Sequence, residues 1–286
     1  MFNKVVICGM GVMGGSLGFS LVNNKKVSIV HALVRKENTI KNILNLKLAH
    51  KATTNIKEAL EGADLVVLAI PASAVRKQIK MILPFIKKQM IITDICSVKH
   101  NVVKDSEKLI GERAYFIGSH PMTGSEKFGF SNFIRNLYDH TPCIITPTIN
   151  TSKTALSKLK NFWKSLNTNI FIMNPREHDL NVALVSHLPH VLSFSFMNLV
   201  AMQKEKDAFF KIAAGSFEDM SRISGSSAAL WTDIFLNNKK ELSKLLKLYN
   251  KQIVKFIELL ENEDTKAIVK KLEISGKTNQ AFLSCH

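Results

Sequence analysis

The chain has 286 residues, of which 46% are hydrophobic, and a formal net charge of +16. This hydrophobic content is ordinary for a packed globular protein and excludes a disordered or fibrous chain. The lysines are dispersed along the sequence without interleaved aromatic residues, so no nucleic-acid partner is expected, although a positive field attracts small polyanions. The four cysteines are far apart and fall in no metal-binding pattern, which predicts reduced thiols and no metal site.

The N-terminal residues show none of the patterns of a secretion signal. No run approaches the roughly 20 uninterrupted apolar residues expected of a membrane span. These two features predict a cytoplasmic protein that has no membrane partner.

The first 150 residues alternate short apolar runs with amphipathic stretches, which is typical of βαβ units around a mostly parallel sheet. The predicted strands are residues 5–8, 27–34, 63–71, 91–94, 115–118 and 144–147. The predicted helices are residues 16–22, 56–60, 73–82 and 101–109.

After residue 151 the apolar residues recur every three or four positions, interrupted by one predicted strand at residues 170–173. Long helices are predicted at residues 175–202 and 238–261. The helix at 175–202 is apolar on all faces, so we expect other helices to bury it, including those of a second subunit. The pattern therefore predicts an α/β domain at residues 1–150 and an all-helical domain for substrate binding and dimerisation at residues 151–286.

The sequence GMGVMG at residues 9–14 follows the first strand directly and precedes a helix, which is the context that dinucleotide binding requires. Gly9 permits the tight turn, Gly11 lets the backbone approach a pyrophosphate, and Gly14 lets the helix pack against the strand. Val12 and Met13 would contribute amides at the helix N-terminus. The predicted fold class is therefore α/β, with a Rossmann-type first domain.

The end of the second predicted strand bears on the choice of cofactor. Enzymes that select NAD usually carry an acidic residue about 20 positions after the glycine loop, and Val34 occupies that place here. Arg35 and Lys36 follow and would pair with a 2′-phosphate, which favours NADP over NAD. The alternative is that both are merely solvated cations, and the nearby Glu37 weakens the argument.

Two polar segments, DICSVK at residues 94–99 and GSHPMTGSE at residues 118–126, fall at the carboxyl ends of predicted strands, where α/β sheets bind ligands. We predict that Ser97 orients His120 and fixes its tautomer, leaving the imidazole free as a general base. A structural role for His120 is the alternative. The sequence contains no Gly-x-Ser-x-Gly elbow that would favour a nucleophilic serine.

A third polar segment, SHLPH at residues 186–190, interrupts the long apolar helix. His187 and His190 are three positions apart and face the same side. No Asp, Glu or Cys in this segment completes a metal site. Two hydrogen-bonded core histidines are the alternative to a binding role.

These motifs, together with DMSRI at residues 219–223 and WTDI at residues 231–234, closely resemble in order those of the prephenate and arogenate dehydrogenase family. The resemblance extends from residue 4 to about residue 260. It implies oxidative decarboxylation of prephenate to 4-hydroxyphenylpyruvate in tyrosine biosynthesis, with hydride transfer to NAD(P). Separately, the apolar surface of the helix at 175–202 predicts a homodimer formed by the helical half.

The same resemblance implies roles for individual residues. His120 would be the base or hydrogen-bond acceptor and Ser97 its partner, while Arg222 would bind a substrate carboxylate through its planar fork. Without the resemblance, Arg222 would be interpreted as part of a surface salt bridge. The other implied substrate-pocket residues are Ser186, His190, Gly215 and Trp231, with Ser125 and Glu126 at the entrance.

Several alternatives remain open at the level of sequence. The motifs do not separate prephenate from arogenate, so arogenate or dual-specificity cyclohexadienyl dehydrogenase is the nearest alternative. A β-hydroxyacid or imino-acid enzyme, or a non-catalytic dinucleotide sensor, is further away. Because the glycine loop begins at residue 9 and only a short tail follows residue 274, we expect a monofunctional enzyme without a fused mutase or regulatory domain.

Overall fold

The computed structural model describes residues 2–25, 27–124 and 129–284. The chain forms two compact units, Met1–Lys239 and Lys240–His286. The predicted boundary near residue 150 falls inside the first unit, between a strand and the helix that follows it. A division into domains at that point stays a prediction.

The first unit contains a six-stranded parallel sheet with the order β3-β2-β1-β4-β5-β6. The strand order changes direction between β1 and β4, which creates a crevice at their carboxyl ends. This sheet confirms the predicted Rossmann-type first half. Its strands are Lys4–Cys8 (β1), Ile29–Leu33 (β2), Lys51–Thr53 (β3), Leu65–Leu68 (β4), Ile91–Asp94 (β5) and Tyr115–Phe116 (β6).

Helices cover both faces of this sheet, so its central strands are apolar throughout. On β1, Val5 and Ile7 pack into one hydrophobic cluster, while Val6 and Cys8 pack into another on the opposite face. The helices of this half are Val12–Asn23 (α1), Ile40–Asn45 (α2), Ile56–Leu60 (α3), Ala72–Ile82 (α4) and His100–Ile110 (α5). The sequence analysis missed α2 and β3 because both are short and lie in a mostly polar stretch.

A second, three-stranded sheet holds Gly118–Pro121 (β7), Pro142–Thr146 (β8) and Asn169–Ile172 (β9). Strand β8 pairs antiparallel with β7 and parallel with β9. The single strand predicted at residues 115–118 is wrong, because the chain leaves the first sheet after β6 and enters the second at β7. The segment that contains His120 is therefore a buried strand and not a loop.

A buried hydrogen-bond chain attaches β7 to the first sheet. Trp163, near the end of helix Lys153–Lys164 (α6), is fully buried, and its Nε1 donates to Ser119 Oγ at 2.9 Å. The Ser119 hydroxyl lies 2.8 Å from Thr93 Oγ1 on β5. Successive strand residues point to opposite faces, so anchoring Ser119 on this side directs His120 to the other.

The helix predicted at residues 175–202 is present, but a π-helical turn interrupts it. It comprises Pro175–Val182 (α7), the turn Ala183–His187 and Leu188–Ala201 (α8). The Asn174 side chain caps α7 by accepting from two backbone amides. Such π turns often occur at functional sites. The unit continues with Lys206–Ile212 (α9), Gly215–Ser221 (α10) and Ala228–Asn237 (α11).

Contrary to the expectation that no segment would be apolar enough, the helix Pro175–Ala201 has the length and composition of a membrane span. Core helices of globular proteins pass the same test, so the observation by itself is weak. The polar side chain of Asp179 on this helix accepts hydrogen bonds from backbone amides after β5. The helix is therefore packed against the sheet, with Leu184, Val185 and Leu199 more than half exposed.

The second unit consists mainly of two helices, Lys239–Glu261 (α12), whose first residue belongs to the first unit, and Thr265–Leu283 (α13). The Asp264 side chain caps α13 by accepting from the amide of Ala267 at 3.0 Å. Lys271 on α13 donates to Gln252 on α12 at 2.9 Å. Apolar side chains exposed on this unit include Leu248, Ile253, Val254, Ile257, Leu260, Val269 and Leu272.

Candidate active site

The glycine loop lies at the crevice between β1 and β4, and close backbone contacts define its shape. Gly9 has φ +95°, and a Cβ placed on it would lie 2.4 Å from the carbonyl oxygen of Ala69 after β4. A Cβ on Gly14 would lie 2.0 Å from the carbonyl oxygen of Gly9. Larger residues at these two positions would therefore collide with backbone, as the sequence analysis predicted for the turn and for helix packing.

Gly11 differs from both neighbours, because a Cβ placed on it would meet nothing within 4 Å. It stands immediately before α1, and no side chain caps the N-terminus of this helix. Uncapped amides at a helix N-terminus, next to a backbone position without a side chain, fit a pyrophosphate. Val12 and Met13, the first two residues of α1, belong to this cradle.

The end of β2 adjoins the glycine loop, since the amide of Gly9 donates to the carbonyl oxygen of Leu33 at 3.3 Å. Val34 is half-buried, while Arg35 and Lys36 are exposed and their side chains form no ion pair with the described residues. Glu37 instead accepts a long hydrogen bond of 3.4 Å from Thr54. The two cations therefore lie beside the cofactor loop without a competing partner among the described residues.

A second group of side chains is centred on His120, which is buried on β7. Its Nδ1 lies 2.8 Å from Nε2 of His178 on α7, and the two rings are tilted by 60°. The Nδ1 atom of His178 lies 2.8 Å from Oδ1 of Asp179. Three buried side chains thus form a continuous His–His–Asp chain.

The carboxylate at the end of this chain is held by the N-terminus of α5. Asp179 Oδ1 accepts from the amide of Lys99 at 2.7 Å, and Oδ2 accepts from the amide of His100 at 2.9 Å. Burial alone would raise the pKa of Asp179, but the hydrogen bonds from His178 and from these two amides outweigh it and lower the pKa below its ordinary value. Asp179 is therefore an ionised carboxylate at physiological pH.

The structure does not pair Ser97 with His120 as the sequence analysis expected. Ser97 is half-buried in the turn between β5 and α5, and no hydrogen bond within the described residues joins its hydroxyl to His120. In the same turn Lys99 and Asp94 form a fully buried ion pair, and Asp94 also accepts from the amide of Cys96. The partner of His120 is instead His178, which reaches it from the helical half.

The three histidines around this centre are held in the neutral form. Burial lowers the pKa of His120 well below 6.5, and the nearby His178, Lys99 and His187 lower it further. Burial also lowers the pKa of His178, more than its bond to Asp179 raises it. In the same way, burial lowers the pKa of His187 to about 4. A neutral imidazole is required of a hydrogen-bond acceptor or base.

A third group lies along the π turn and α8. The Nδ1 atom of His190 lies 2.9 Å from the carbonyl oxygen of Ser186, so Nδ1 carries the proton and Nε2 does not. The ring of His190 stacks on Trp231 of α11, with centroids 3.5 Å apart. His187 contacts the edge of the same tryptophan, which confirms that the two histidines face one side.

Arg222, just after α10, is exposed and forms no ion pair with the described residues. The alternative interpretation, a surface salt bridge, is therefore not observed among these residues. Its charge is close enough to help lower the pKa of His190, after the larger effect of burial. An exposed cation that pairs with no carboxylate among the described residues, next to a neutral histidine, can bind the carboxylate of a ligand.

The remaining predicted residues are less informative. Gly215 is exposed at the start of α10. Ser186 contributes its backbone carbonyl oxygen, and its hydroxyl forms no hydrogen bond with the described residues. Ser125 and Glu126, the predicted entrance, lie outside the described residues. Within the described part of the chain, no three His, Cys, Asp or Glu side chains come together as potential metal ligands.

Sequence reasoning missed His178, Asp179 and Asn238. Asn238 Nδ2 donates to the carbonyl oxygen of Asp179 at 2.7 Å and lies 3.2 Å from Nδ1 of His187. The adjacent His178 and Asp179 were a detectable signal, because a polar pair near the start of an apolar helix must be buried with partners. Asn238 gave no such signal, as it lies between two helices.

A parallel sheet with a glycine cradle at its crevice, and with neutral histidines on the adjoining elements, defines the class of dinucleotide-dependent oxidoreductases. Comparison with known proteins specifies the family. Residues 18–172 match the nucleotide-binding domain of prephenate dehydrogenase, and residues 174–274 match its dimerization domain. The chain belongs to the prephenate dehydrogenase family and binds NAD(P).

Individual relatives agree with this assignment. Prephenate dehydrogenase of Aquifex aeolicus, solved with hydroxyphenyl propionate and NAD+, is 30% identical with a TM-score of 0.91, and the match covers 99% of each chain. Arogenate dehydrogenase of Synechocystis is 25% identical with a TM-score of 0.84, over 98% of this chain and 99% of that one. Cyclohexadienyl dehydrogenase of Zymomonas mobilis is 28% identical over 100% of this chain and 98% of its own length.

The glycine loop makes a paired prediction. Gly14→Ala should lower the free energy of unfolding by about 2 kcal/mol or more, because its Cβ would collide with the Gly9 carbonyl oxygen. Gly11→Ala should cost less than about 1 kcal/mol without cofactor, yet weaken NAD(P) binding roughly tenfold or more by filling the cradle. Thermal unfolding without cofactor and calorimetric titration with it measure the two effects. Equal destabilisation by both substitutions would contradict the assignment of the cradle to Gly11.

Proposed function

We propose that this chain catalyses the oxidative decarboxylation of prephenate to 4-hydroxyphenylpyruvate, with hydride transfer to NAD(P), in tyrosine biosynthesis. The observation that carries the proposal is the buried, neutral His120 on β7, beside the sheet that carries the dinucleotide cradle. The family and the named relatives support the same reaction class.

The chain's own residues account for the proton and for substrate binding. Nε2 of His120 accepts the proton of the ring hydroxyl while hydride leaves the carbon that bears this hydroxyl. Loss of carbon dioxide leaves its bonding electrons in the ring, which becomes an aromatic phenolate, and the phenolate takes the proton back from His120 to give the phenol of the product. The bound nicotinamide supplies the hydride acceptor. Because aromatisation drives the reaction, a modest base suffices. Arg222 binds a substrate carboxylate, and His190 with Trp231 forms a wall of the pocket.

Dehydrogenation of arogenate is the second candidate, because relatives named for arogenate and for cyclohexadienyl substrates match at similar identity. Arogenate carries an amino group where prephenate carries a keto group. The assay that tests the function follows reduced cofactor with each substrate in turn. No turnover with either substrate would reject the proposed function.

His120→Asn should bind NAD(P) as the parent does and lose roughly 10²–10⁴-fold in kcat, since the hydroxyl proton then has no base. Steady-state kinetics and a cofactor titration measure the two quantities. The exposed His140 on the surface supplies a matched control, and His140→Asn should keep parental kcat. Unchanged kcat in His120→Asn would remove His120 from the chemistry.

Arg222→Ala should raise the substrate KM roughly tenfold or more and change kcat much less, because a charge-assisted bidentate pair contributes largely uniform binding. Arg113→Ala is the control, since Arg113 is exposed and immediately precedes β6, an edge strand of the parallel sheet. A loss confined to kcat would contradict the carboxylate-binding role and indicate a contribution made in the transition state.

We also infer a preference for NADP over NAD from the exposed cations after β2. A 2′-phosphate beside Val34 would meet Arg35 and Lys36, and no carboxylate stands at Val34 to repel it. The Aquifex aeolicus relative was solved with NAD+, which makes NAD the competing outcome.

Arg35→Ala should lower the ratio of kcat/KM for NADP to kcat/KM for NAD roughly tenfold, which corresponds to one lost charge-assisted hydrogen bond. Lys88→Ala, an exposed cation before β5, should leave the ratio unchanged. A parent enzyme that prefers NAD, or an unchanged ratio in Arg35→Ala, would show that the cations after β2 do not select the cofactor.

A homodimer formed by the helical half is the third inference. The helix Pro175–Ala201 exposes Leu184, Val185 and Leu199 although its composition is that of a core helix, and exposed apolar side chains on such a helix favour an interface with another chain. The family description of residues 174–274 as a dimerization domain supports the same arrangement.

A cytoplasmic location stays a prediction, supported by the free, buried thiols of Cys8, Cys96 and Cys143.

Light scattering after size exclusion should give twice the 32.0 kDa mass of the chain. Leu199→Glu should shift the protein toward the monomer, because a charge would be buried at the interface. Lys204→Glu, a change on the exposed turn after α8, should leave the mass unchanged. A parent protein that is monomeric at micromolar concentration would refute the dimer.

A further inference from the structure

In the hydrogen-bonded series His120–His178–Asp179, the acceptor at one end determines which nitrogen atoms of the two histidines carry a proton. We propose that His178 and Asp179 are positioning residues, which hold His120 in the tautomer with a proton on Nδ1 and an unprotonated Nε2. This inference rests on the role proposed above for His120. It assigns to two residues of α7 the orienting role that the sequence analysis gave to Ser97.

The assignment of donors and acceptors begins at Asp179. Its carboxylate accepts from the amides of Lys99 and His100 and lies 2.8 Å from Nδ1 of His178. Backbone amides only donate, so both carboxylate oxygens are acceptors, and these hydrogen bonds help hold the pKa of Asp179 below its ordinary value. The helix N-terminus of α5 further favours negative charge. Asp179 is thus a fixed acceptor, and Nδ1 of His178 must carry a proton.

The protonation of His178 then determines that of His120. A neutral imidazole has one N–H, so a proton on Nδ1 leaves Nε2 of His178 as an acceptor. That atom lies 2.8 Å from Nδ1 of His120, which must therefore donate. The proton of neutral His120 is committed to this bond, and its Nε2 carries the free lone pair. Within the described residues, no hydrogen bond occupies that atom.

Burial makes the arrangement strict. His178 is fully buried, and Asp179 and His120 are only 4% and 7% exposed, so water has little access to replace a missing partner. An N–H or a lone pair left without a partner at such a depth destabilises the folded protein, because burial removes the water that would otherwise bind it. The opposite tautomer of His120 would place two lone pairs against each other at 2.8 Å. Tertiary structure therefore selects one tautomer before substrate binds.

The proposed tautomer of His120 requires that His178 stay neutral. If His178 gained a second proton, its Nε2 would donate to His120 Nδ1 and move the His120 proton to Nε2, which would remove the base. Burial lowers the pKa of His178 and opposes this state. The neighbouring charged and titratable groups are Asp179 on α7, Lys99 and Asp94 around the β5–α5 turn, His120 on β7 and His187 on the π turn.

The test uses the full-length protein labelled with ¹⁵N at its nine histidines. Imidazole nitrogens with and without a proton resonate in separate regions, and comparison with His120→Asn assigns the His120 signals. We expect Nε2 of His120 to be unprotonated and Nδ1 protonated in the parent. In His178→Leu, the His120 signals should move toward a mixture of the two tautomers. A parent spectrum with a proton on Nε2 overturns the proposal.

Kinetics give a second, independent measurement. His178→Leu should lower kcat tenfold or more with the KM values for substrate and cofactor within about threefold, because orientation of a base acts on turnover. His178→Gln keeps an amide oxygen near the position of Nε2 and should recover most of that loss. Glu177→Gln, an exposed change on the same helix, is the control and should keep parental kcat. Parental kcat in a folded His178→Leu overturns the proposal.

The two measurements separate this inference from the proposed function. The nuclear magnetic resonance experiment needs no substrate, so the tautomer of His120 is established even if neither prephenate nor arogenate is turned over. If His178→Leu does not fold, the parent spectrum and the kinetics of His178→Gln still decide. A His178→Gln variant that folds but shows the same loss as His120→Asn would overturn the acceptor role of Nε2.

Discussion

The carboxylate of Asp179 on α7 joins this helix to the turn that follows β5 of the parallel sheet. It accepts hydrogen bonds from the amides of Lys99 and His100 at the start of α5 and from the ring N–H of His178 on its own helix. An isolated buried charge is costly, but a helix N-terminus supplies both donors and a favourable dipole. One ionised group therefore positions α7 against the sheet and, through His178, orients the proposed base.

The two halves of the site depend on different physical devices. The cofactor cradle is built by leaving side chains out, since Gly9 and Gly14 permit contacts that a Cβ would forbid and Gly11 leaves the space open. The centre around His120 is built by burying polar side chains that satisfy one another. The cradle lies directly after β1, and the His120 centre meets the start of α5 after β5 through Asp179, because the carboxyl ends of the parallel strands and the helix N-termini meet at one edge.

The group formed by His190, Trp231 and Arg222 is built in a third way. His190 stacks on Trp231, and the exposed Arg222 has no ion-pair partner among the described residues. His187, the last residue of the π turn, lies 3.2 Å from Asn238 and contacts the edge of Trp231, whereas the ring of His190 stacks on the face of that tryptophan. A half-buried histidine stacked on a tryptophan and one accessible cation are a suitable combination for an anionic ring ligand, because shape and charge come from separate residues.

The sequence by itself was sufficient for the glycine loop, the principal strands of the parallel sheet, the long helix at 175–202 and the family. These features depend on residues close together in the chain, such as the spacing of Gly9, Gly11 and Gly14 or the apolar run of β1. It also singled out His120 and His190, since polar residues in apolar surroundings are visible locally. It missed β3, and it merged β6 with β7, because none of these three strands has a distinctive local pattern.

Only the tertiary structure decided which side chain orients His120. His178 is 58 positions away from it, and Asp179 is 80 positions away from Lys99, so no local pattern links them. Ser97 was the nearer choice along the motif, yet packing of α7 against the turn after β5 brings His178 to the imidazole instead. Hydrogen-bond partners of buried groups are determined by how elements pack, and packing is a property of the whole chain.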